Sequence, residues 1–520
     1  MLKNNNKFYI TTAILYSNAE AHIGHAYEFF LADVIARYQR LQEKDTYFLT
    51  GMDEHGLKIG RSARENNMEV QDFVDEMAEQ AKELHQLLNI SYNQFIRTSD
   101  KKIHWPGAQT LWKELVSSND IYKKKYNGLY CIGCERFITE KELINNKCPE
   151  HDKEPENIEE ENYFFKLSKY NDQIKNLIKS NSLIISPVSA RNEILSLLES
   201  GLEDVSFSRK KESVLWGIPV PEDKTQLMYV WCDALSNYIT ALGYGRKNED
   251  NFKKFWPADI QVIGKGILRF HAGLWPGMLL SAGLPLPKEI LVHSYLTING
   301  KKISKSIGNV INPKEYIHKY GTDAVRYYLG REITPFEDGD FSKEKFIKTY
   351  NANLANGLGN LISRILKMAN DYFEGSVNNN DNVLIPTKRK KEATKEKDSL
   401  ESWAIPYLID NKFIPDYHGF MEKFEINRAA DVIWKLIKEL DGYITDYEPY
   451  KLIRTDKEKT EVIIWNVLYG LFFVGKFLGP FMPEIAEKIN NLLGVKFDTK
   501  NIPKSFKTNI LEKPLFKKID

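Results

Sequence analysis

Cysteine is scarce in this sequence, with four in 520 residues. So few cysteines exclude the disulfide framework that stabilises small secreted proteins. Three of the four stand near one another and beside a histidine, in the order Cys131, Cys134, Cys148 and His151. This clustering is typical of a metal site in a reducing compartment.

An excess of charge of either sign is also absent. The chain has 72 basic and 71 acidic residues, so its net charge of +1 creates no global field for nucleic acid, and any RNA contact must be local.

Long apolar runs are missing too. The stretch Phe8–Leu15 lacks the apolar core of a signal peptide, and stretches around Leu274 and Phe472 are broken by Pro, Gly or Lys. We therefore predict a cytoplasmic protein without a membrane segment.

What the sequence contains is ample material for a folded core. Hydrophobic residues make up 42% of the chain and charged residues 28%, which is the composition of a folded soluble protein. A length of 520 residues exceeds one ordinary core and predicts two to four domains. There is no internal repeat and no heptad pattern.

Strand and helix patterns alternate at the start of the chain. Lys7–Ala13 predicts a strand, apolar residues recur at three- and four-residue steps over Ile23–Leu41, and Thr46–Met52 predicts the next strand. Strand, helix and strand form a βαβ unit, which predicts a parallel sheet with a ligand crevice at the carboxyl ends of its strands. Three later apolar segments are predicted to be further strands: Leu227–Cys232, Ile260–Ile263 and Ile290–His293.

The remaining chain differs in composition. A segment between the two halves of the predicted sheet holds the Cys/His cluster and short β-like stretches such as Tyr163–Leu167, which indicates an insertion. From about Tyr350 strands vanish, and long patterns such as Asn356–Phe373 and Thr460–Phe477 predict a helical bundle. Gly375–Asp398 is predicted to be a solvated loop in that bundle.

Two short motifs carry the chemistry. His22–His25 (HIGH) lies where the first strand gives way to its helix, a place where backbone N–H groups attract phosphate and imidazoles can donate to phosphate oxygens. Lys301–Ser306 (KKISKS) lies between Gly300 and Gly308 and is a cationic loop able to close on phosphate. Either motif alone is usually an ordinary surface feature. The two motifs together, flanking the two halves of a parallel sheet, are a far more specific sign of function than either motif alone.

The pair of motifs resembles the signatures of class I aminoacyl-tRNA synthetases. That resemblance implies that His22, His25, Lys302 and Lys305 stabilise the phosphorus when an amino-acid carboxylate attacks the α-phosphate of Mg2+-bound ATP. A preorganised group of this kind is worth about 3–4 kcal/mol of barrier. The implied ATP-binding residues are His22, Gly24, His25, Gly264 and Lys305.

The Cys/His cluster consists of two close pairs of ligands joined by a short loop. Cys131-x2-Cys134 followed by Cys148-x2-His151 fits a tetrahedral zinc site of Cys3His type. Buried hydrophobic cysteines are the plain alternative, but the paired spacing with Pro149 in the second turn favours the metal. Because protein would fill all four positions, the zinc is expected to be structural.

Further segments resemble the methionyl branch of the class: Thr50–Gly56, Tyr130–Phe137, Tyr229–Ala234 and Phe270–His271. The insertion is also too short for the large editing domain of the isoleucyl, valyl and leucyl enzymes. The resemblance implies that Asp53 pairs with the ammonium group of L-methionine. The implied methionine pocket is lined by Ile14, Tyr16, Trp231, Ala234, Leu235, Tyr238, Ile267 and His271.

The chemistry of such a pocket agrees with methionine. A thioether favours aromatic edges, and a tyrosine hydroxyl and an imidazole N–H can donate weakly to its sulfur. An apolar pocket discriminates by only about 1–3 kcal/mol per methylene, so these contacts would help to reject leucine.

Three positions depart from the family pattern. Gly266 stands where the family usually carries Asp near the nucleotide, so the resemblance supplies no ribose contact there. Ile303 replaces the usual Met and leaves both loop lysines in place. Asn360 and Arg364, four apart on a predicted helix, match the family's anticodon-reading pair, and Tyr450 replaces its Trp while keeping a stacking platform.

The resemblance predicts an α/β Rossmann-type catalytic domain that is split by an insertion and followed by a helical anticodon-binding domain. The predicted bounds are 1–116 and 226–296 for the catalytic halves, 117–225 for the connective insertion with its zinc knuckle, 297–349 for the lysine-loop and stem-contact region, and 350–520 for the helical domain.

The predicted activity is that of the methionine–tRNA ligases, with ATP, L-methionine and tRNA(Met) as partners and methionyl adenylate as intermediate. One alternative is another class I synthetase without editing, such as the cysteinyl enzyme. Another is a catalytically silent RNA-binding paralogue, against which the intact histidines and lysines argue. Because the chain ends at Asp520, soon after the predicted bundle, a monomer is expected.

Overall fold

The computed structural model describes residues 6–133, 136–138, 140–149, 152–214, 216–298, 300–303, 310–379, 383–387, 404–496 and 503–519, with the backbone alone at 136, 141 and 302. The chain divides into two compact units, an N-terminal unit of residues 1–295 and a C-terminal unit of residues 296–520.

The N-terminal unit alternates strands and helices. In chain order these are β1 (Lys7–Thr12), β2 (Leu15–Tyr16), α1 (Ile23–Leu41), β3 (Asp45–Asp53), α2 (Leu57–Glu65), α3 (Val70–Leu87), β4 (Gln94–Arg97), α4 (Trp105–Ser117), β5 (Ile121–Cys131), β6 (Arg136–Ile138), β7 (Glu156–Phe165), α5 (Asn171–Lys179), β8 (Ile184–Ser186), α6 (Val188–Ser200), β9 (Val205–Ser206), β10 (Ser208–Lys210), α7 (Lys211–Val214), β11 (Pro219–Val220), β12 (Asp223–Met228), α8 (Val230–Thr240), α9 (Asp250–Phe255), β13 (Ile260–Gly264), α10 (Trp275–Ser281) and β14 (Glu289–His293).

A parallel sheet forms the centre of this unit, as predicted. Its order is β4-β3-β1-β13-β14-β8, and β2 continues alongside β3 beyond the end of β1. Ile10 of β1 pairs in register with Phe48 on one side and Ile260 on the other, and all three are buried. The strand order reverses between β1 and β13, and in open α/β sheets ligands bind at the carboxyl ends of the strands beside such a reversal.

The first predicted helix is confirmed as α1, and the predicted strands Ile260–Ile263 and Ile290–His293 are confirmed as β13 and β14. The strand predicted over Leu227–Cys232 is wrong. Its first two residues end β12, which belongs to a small antiparallel sheet, Tyr229 is the N-cap residue of α8, and the last three residues begin α8. An apolar run that is buried on all sides fits a strand and a core helix equally well.

The residues assigned to the insertion form two antiparallel sheets, with the orders β6-β5-β7-β9 and β10-β12-β11. The same residues also contribute β8, which pairs in parallel with β14 at the edge of the central sheet. Part of this segment therefore belongs to the parallel sheet.

The C-terminal unit is mainly helical. Its elements are β15 (Leu296–Ile298), β16 (Lys301–Lys302), α11 (Pro313–Tyr320), α12 (Thr322–Arg331), β17 (Gly339–Phe341), α13 (Lys343–Thr349), a π-helical segment (Tyr350–Gly359), α14 (Asn360–Phe373), β18 (Ser376–Asn378), α15 (Ile405–Leu408), a second π-helical segment (Ile409–Phe413), α16 (Ile414–Met421), α17 (Ile426–Tyr447), α18 (Pro449–Leu452), α19 (Lys457–Leu478), α20 (Pro483–Leu493) and β19 (Ser505–Lys507).

The helical bundle is confirmed, and its two predicted helices correspond to α14 and α19. Strands do not vanish after Tyr350, however, because β18 and β19 pair in a small antiparallel sheet. Of the residues described, α19 is the one helix long and apolar enough to cross a membrane, but 89% of its apolar window is buried within the chain. It is the central helix of this bundle, packed against α17 and α20.

Candidate active site

The HIGH residues form the start of α1. The side chain of His22 caps the helix, with its Nδ1 accepting from the Gly24 N–H at 3.1 Å, and Nδ1 of His25 accepts from the His22 N–H at 3.2 Å. The two rings stack with centroids 3.9 Å apart. Because each Nδ1 accepts a backbone hydrogen, each ring carries its own hydrogen on Nε2. The motif thus presents two imidazole donors at a helix N-terminus.

Burial keeps the second of these rings neutral. Burial, together with the neighbouring His22 and His293, lowers the pKa of His25 to about 3. At neutral pH His25 therefore acts as a hydrogen-bond donor and not as a cation.

Glu28 and His293 lie next to this motif, and sequence reasoning missed both. Glu28, one turn along α1 from the HIGH motif, accepts from the Ala13 N–H at 2.9 Å and from His293 Nε2 at 3.0 Å. Gly264, at the end of β13, faces the same pair, and a Cβ added there would lie 3.6 Å from the His293 ring and 3.8 Å from a Glu28 oxygen. The ends of β1, β13 and β14 thus meet here.

The predicted methionine pocket comes together around one core. Leu235 and Tyr238 belong to the main hydrophobic cluster of the unit, and Ile14, Tyr16, Trp231 and Ile267 pack against it. Ala234 is buried beside Leu235 on α8. Trp231 stacks on Phe270 with ring centroids 3.8 Å apart and an interplanar angle of 6°.

His271 lies in a π-helical turn, Phe270–Leu274, just before α10. Pro276, near the start of α10, has no N–H to return to an earlier carbonyl, which favours this local change of hydrogen bonding. His271 Nδ1 donates to the Ile267 carbonyl at 3.0 Å, and its Nε2 accepts from the Tyr238 hydroxyl at 2.7 Å. Burial lowers the pKa of His271 to about 4, so the ring is neutral.

This bonding corrects one expectation. An imidazole N–H and a tyrosine hydroxyl were expected to donate to sulfur, but the His271 N–H and the Tyr238 hydroxyl already have partners inside the protein. Of the two predicted pocket tyrosines, this leaves the expectation to Tyr16.

Asp53, the predicted ammonium partner, is the last residue of β3 and is buried. The two residues after it are fixed by ion pairs in other directions. Glu54 accepts from Arg97 at 2.7 Å, and His55 Nδ1 donates to Asp233 at 2.5 Å. Gly56 then ends the segment with a φ of 117°, a conformation that favours glycine.

Asp233 is the centre of a buried network that sequence reasoning did not predict. Its second oxygen accepts from His104 Nε2 at 2.6 Å, and His104 Nδ1 lies 2.7 Å from the Thr240 hydroxyl. Burial alone would raise the pKa of Asp233, but the two imidazoles outweigh it and lower the pKa. An acidic residue inside the apolar run VWCDAL was the available signal, since a buried carboxylate requires partners.

The loop lysines cannot be placed in the site. Lys302 belongs to β16, but its side chain and the whole of Lys305 lie outside the described residues. Cys134 and His151 of the predicted zinc site also lie outside them. Cys131 and Cys148 are described, and both are buried in one small cluster with Ile138. No group of three metal-ligating side chains occurs within the described ranges, which hold only two of the four predicted ligands.

The predicted anticodon residues lie on two helices of the C-terminal unit, α14 and α18. Asn360 begins α14 and is exposed, and Arg364 follows one turn later, 3.1 Å from Asp441. Tyr450 is 48% exposed and donates to Glu448 at 2.9 Å. That hydrogen bond raises the pKa of Tyr450.

Comparison with known proteins agrees with this geometry. The family model of class I tRNA synthetases (M) matches residues 8–157 and 138–366. The methionine–tRNA ligase of Clostridium acetobutylicum is 42% identical over 501 residues, which cover 96% of this chain and 75% of that protein. The enzyme of the same name from Thermotoga maritima is 40% identical over 99% of this chain and 80% of that protein.

Solved structures give the same result. The Mycobacterium tuberculosis methionyl-tRNA synthetase in complex with methionyl-adenylate has a TM-score of 0.90 at 34% identity, covering 98% of this chain and 99% of that one. Its apo form has a TM-score of 0.84 at 31% identity, and the match covers 99% of this chain and 98% of that one.

The parallel sheet, the match to the family model and the solved structures define a class I aminoacyl-tRNA synthetase. Within that class, the chain belongs to the methionine–tRNA ligases.

Proposed function

We propose that the carboxyl edge of the parallel sheet holds ATP and L-methionine side by side and forms methionyl adenylate there. The methionine carboxylate attacks the α-phosphorus of ATP, and pyrophosphate leaves. A hydroxyl at the 3′ end of tRNA(Met) then attacks the carbonyl carbon, and AMP leaves. The observation that carries this proposal is that the HIGH motif and residues predicted to bind methionine, Asp53 and Ile267, lie at or just beyond the carboxyl ends of adjacent strands.

On the nucleotide side, Nε2–H of His22 and of His25 would donate to phosphate oxygens. Both rings are already fixed by backbone hydrogen bonds, so little reorganisation is needed as charge develops. Gly24 and Gly264 allow the nucleotide to approach the backbone. Lys302 and Lys305 are proposed as additional charges on the phosphates, and Mg2+ would arrive with ATP and neutralise part of its charge.

On the amino-acid side, the Asp53 carboxylate would pair with the methionine ammonium. The side chain of the bound methionine would lie among Ile14, Tyr16, Trp231 and Tyr238. Selectivity over leucine would come from shape and from contacts of sulfur with aromatic edges, worth about 0.3–1.5 kcal/mol each. The fixed Tyr238–His271 pair resists repacking around a branched side chain.

A structural zinc ion is also proposed, bound by Cys131, Cys134, Cys148 and His151. The burial of Cys131 and Cys148 in one cluster supports the zinc site. Cys131 ends β5 and Cys148 lies between β6 and β7, and these two segments must come together for such a site. We expect about one zinc per chain by metal analysis. Protein purified without chelators and lacking zinc would contradict this part.

In the C-terminal unit, Asn360, Arg364 and Tyr450 are proposed to bind the tRNA anticodon. The side chains of Arg364 and Tyr450 are both accessible to solvent, which suits hydrogen bonding and stacking with unpaired bases. We further propose that the protein acts in the cytoplasm as a monomer.

ATP–pyrophosphate exchange with each of the twenty amino acids tests the proposal. We expect methionine to support exchange far better than any other amino acid, and the His22→Ala/His25→Ala variant to lose exchange by orders of magnitude. Exchange with cysteine but not methionine would overturn the assignment. Absence of exchange with every amino acid, together with RNA binding, would indicate a silent paralogue.

A further inference from the structure

The imidazole of His55 is buried and uses one of its two nitrogens in the Asp233 network. The ring lies two residues after β3 and is 2% exposed, and its Nδ1 lies 2.5 Å from Asp233. Its Nε2 has no hydrogen-bond partner within the part of the chain that the structure describes. A buried polar atom without a partner costs free energy, and a bound ligand recovers that cost by hydrogen bonding to it.

The network also fixes the chemical form of this ring. Burial opposes ionisation of Asp233, but the two imidazoles beside it lower its pKa, so the carboxylate is ionised and can only accept. The hydrogen between it and His55 therefore lies on Nδ1, and a neutral ring has a lone pair on Nε2. A second hydrogen on Nε2 would leave a buried charged N–H facing the aromatic surroundings of Trp105 and Trp216, which is costly.

His55 stands at the amino-acid end of the proposed site. Asp53, the residue proposed to pair with the methionine ammonium, precedes it by two positions at the carboxyl end of β3. The partner of its Nδ1 lies two residues after Trp231, in the first turn of α8. The Trp216 ring, with its centroid 5.5 Å from that of His55, packs with Tyr16 on one small cluster. The His55 ring is therefore bordered by neighbours of two predicted pocket residues.

We propose that His55 Nε2 accepts one hydrogen of the methionine ammonium, beside the hydrogen accepted by Asp53. This inference rests on the proposed function, because it requires methionine to bind at this edge of the sheet. An ammonium has three N–H donors, so it needs more than one acceptor once water is excluded. Asp233 is a positioning residue here, because by accepting from Nδ1 it keeps the lone pair on Nε2.

Two replacements of His55 separate its two nitrogens. In His55→Asn the side-chain amide reaches as far as Nδ1, so it keeps a donor to Asp233 and loses Nε2. In His55→Gln the amide reaches as far as Nε2, so it keeps an acceptor for the substrate and loses the bond to Asp233. We expect His55→Asn to keep the wild-type melting temperature and bind methionine weakly. We expect His55→Gln to melt earlier and bind methionine better than His55→Asn does.

Inhibition of ATP–pyrophosphate exchange measures the contribution of the ammonium. The probes are L-methioninol, which carries the ammonium, and desamino-methioninol, the same molecule without it. The preference for L-methioninol should be about tenfold or more smaller in His55→Asn than in wild type, the effect of one hydrogen bond to a charged group. The KM for methionine should rise by the same factor, with kcat and the KM for ATP unchanged.

His104→Gln is the matched control within the same network. It disturbs the contact with the other oxygen of Asp233 and keeps a donor near the position of the His104 Nε2. Its preference for L-methioninol over the desamino compound should equal that of wild type.

The outcomes separate this inference from the proposed function. If wild type shows no methionine-dependent exchange, the proposed function fails. If exchange is robust and His55→Asn weakens both probes equally, or neither of them, the ammonium contact of His55 is overturned. The same loss of preference in His104→Gln would overturn it as well.

Nitrogen-15 NMR of the wild-type histidine rings decides the question if His55→Asn does not fold. The Nε2 signal of His55 is assigned by its absence from the spectrum of His55→Gln. Saturation with L-methioninol should move this signal, and desamino-methioninol should leave it in place. A signal that neither probe moves, or that both move equally, would overturn the contact.

Discussion

The chemical form of each histidine in this site is set by the backbone groups beside it. The two HIGH imidazoles accept N–H groups of their own helix turn, and His271 donates to the Ile267 carbonyl. The sequence predicts which residues are present but not these tautomers, since the tautomers depend on distances of a few tenths of an ångström. His271 shows the consequence, because its hydrogen is already used within the protein.

Residues whose partners lie far along the chain escape prediction most easily. His55 and Asp233 are 178 positions apart and meet only because β3 and α8 adjoin in the fold. Glu28 and His293 are 265 positions apart. Motif residues such as His22 are predicted well because their roles depend on local structure.

Among single residues, Asp53 is the one whose replacement by Asn should weaken methionine activation. An unpaired ammonium at a buried site costs about 2–5 kcal/mol, so we expect kcat/KM for methionine in the exchange assay to fall about 30-fold or more, with the KM for ATP unchanged. Asp45→Asn, at the exposed opposite end of the same strand, is the matched control and should behave as wild type. An equal loss in both variants would remove Asp53 from ammonium binding.

At the scale of elements, the sequence predicts periodic segments well and short ones badly. α1 has a regular apolar period and begins and ends at the predicted residues. β8 has three residues and no recognisable pattern, yet it forms the sheet edge. The run LMYVWC is divided between a strand and a helix because the packing around it, and not its own composition, decides its conformation.

The Asp233 network joins α8 to His55, two residues after β3, and to His104, directly before α4. Replacing Asp233 with Asn puts an amide against two imidazole N–H groups, and breaking a buried pair of this kind costs about 3–5 kcal/mol. We expect urea denaturation to show a loss of that order, with a raised KM for methionine. Glu79→Gln, in an exposed pair with Lys82, should change neither quantity. Unchanged stability of Asp233→Asn would show that the network is dispensable.

A second buried carboxylate joins α12 to α20 in the C-terminal unit. Asp323 accepts from the Ile485 N–H at 2.7 Å, and burial raises its pKa from 3.8 to about 6. Its folded form binds a proton more tightly than its unfolded form. Its stabilising contribution is therefore complete below about pH 4 and is lost as the pH rises through 6.

Asp323→Asn keeps an oxygen acceptor for the Ile485 N–H and does not titrate. Between pH 4 and 7 its free energy of unfolding should therefore gain about 3 kcal/mol relative to wild type, since two pKa units correspond to that amount. Denaturation curves at several pH values measure this difference. A difference that does not vary with pH would show that Asp323 titrates normally.

At the scale of the whole molecule, the proposed roles divide between the two units. The N-terminal unit contains the HIGH histidines and the residues proposed to bind methionine, which lie on the parallel sheet. The C-terminal unit contains the loop lysines Lys302 and Lys305, which are proposed to act on ATP, and the residues proposed to read the anticodon, which lie on the helical bundle. Substitutions of the anticodon residues should therefore affect the charging of tRNA selectively.

Arg364→Ala and Tyr450→Ala test this division. Stacking on an aromatic side chain is worth about 1–3 kcal/mol per base, so kcat/KM for tRNA in the charging reaction should fall about 5- to 150-fold. Exchange with methionine should remain at the wild-type rate. Lys412→Ala, an exposed cation of the same unit, is the control and should charge tRNA normally. A parallel loss of exchange would contradict the division.

One site at the carboxyl edge of the sheet is proposed to hold methionine and the adenosine of ATP together. Calorimetric titration with a non-hydrolysable methionyl-adenylate analogue measures this joint binding. We predict one analogue per chain, bound at least a hundredfold more tightly than methionine and excluding both methionine and ATP. Methionine or ATP that still binds to the saturated protein would contradict the account.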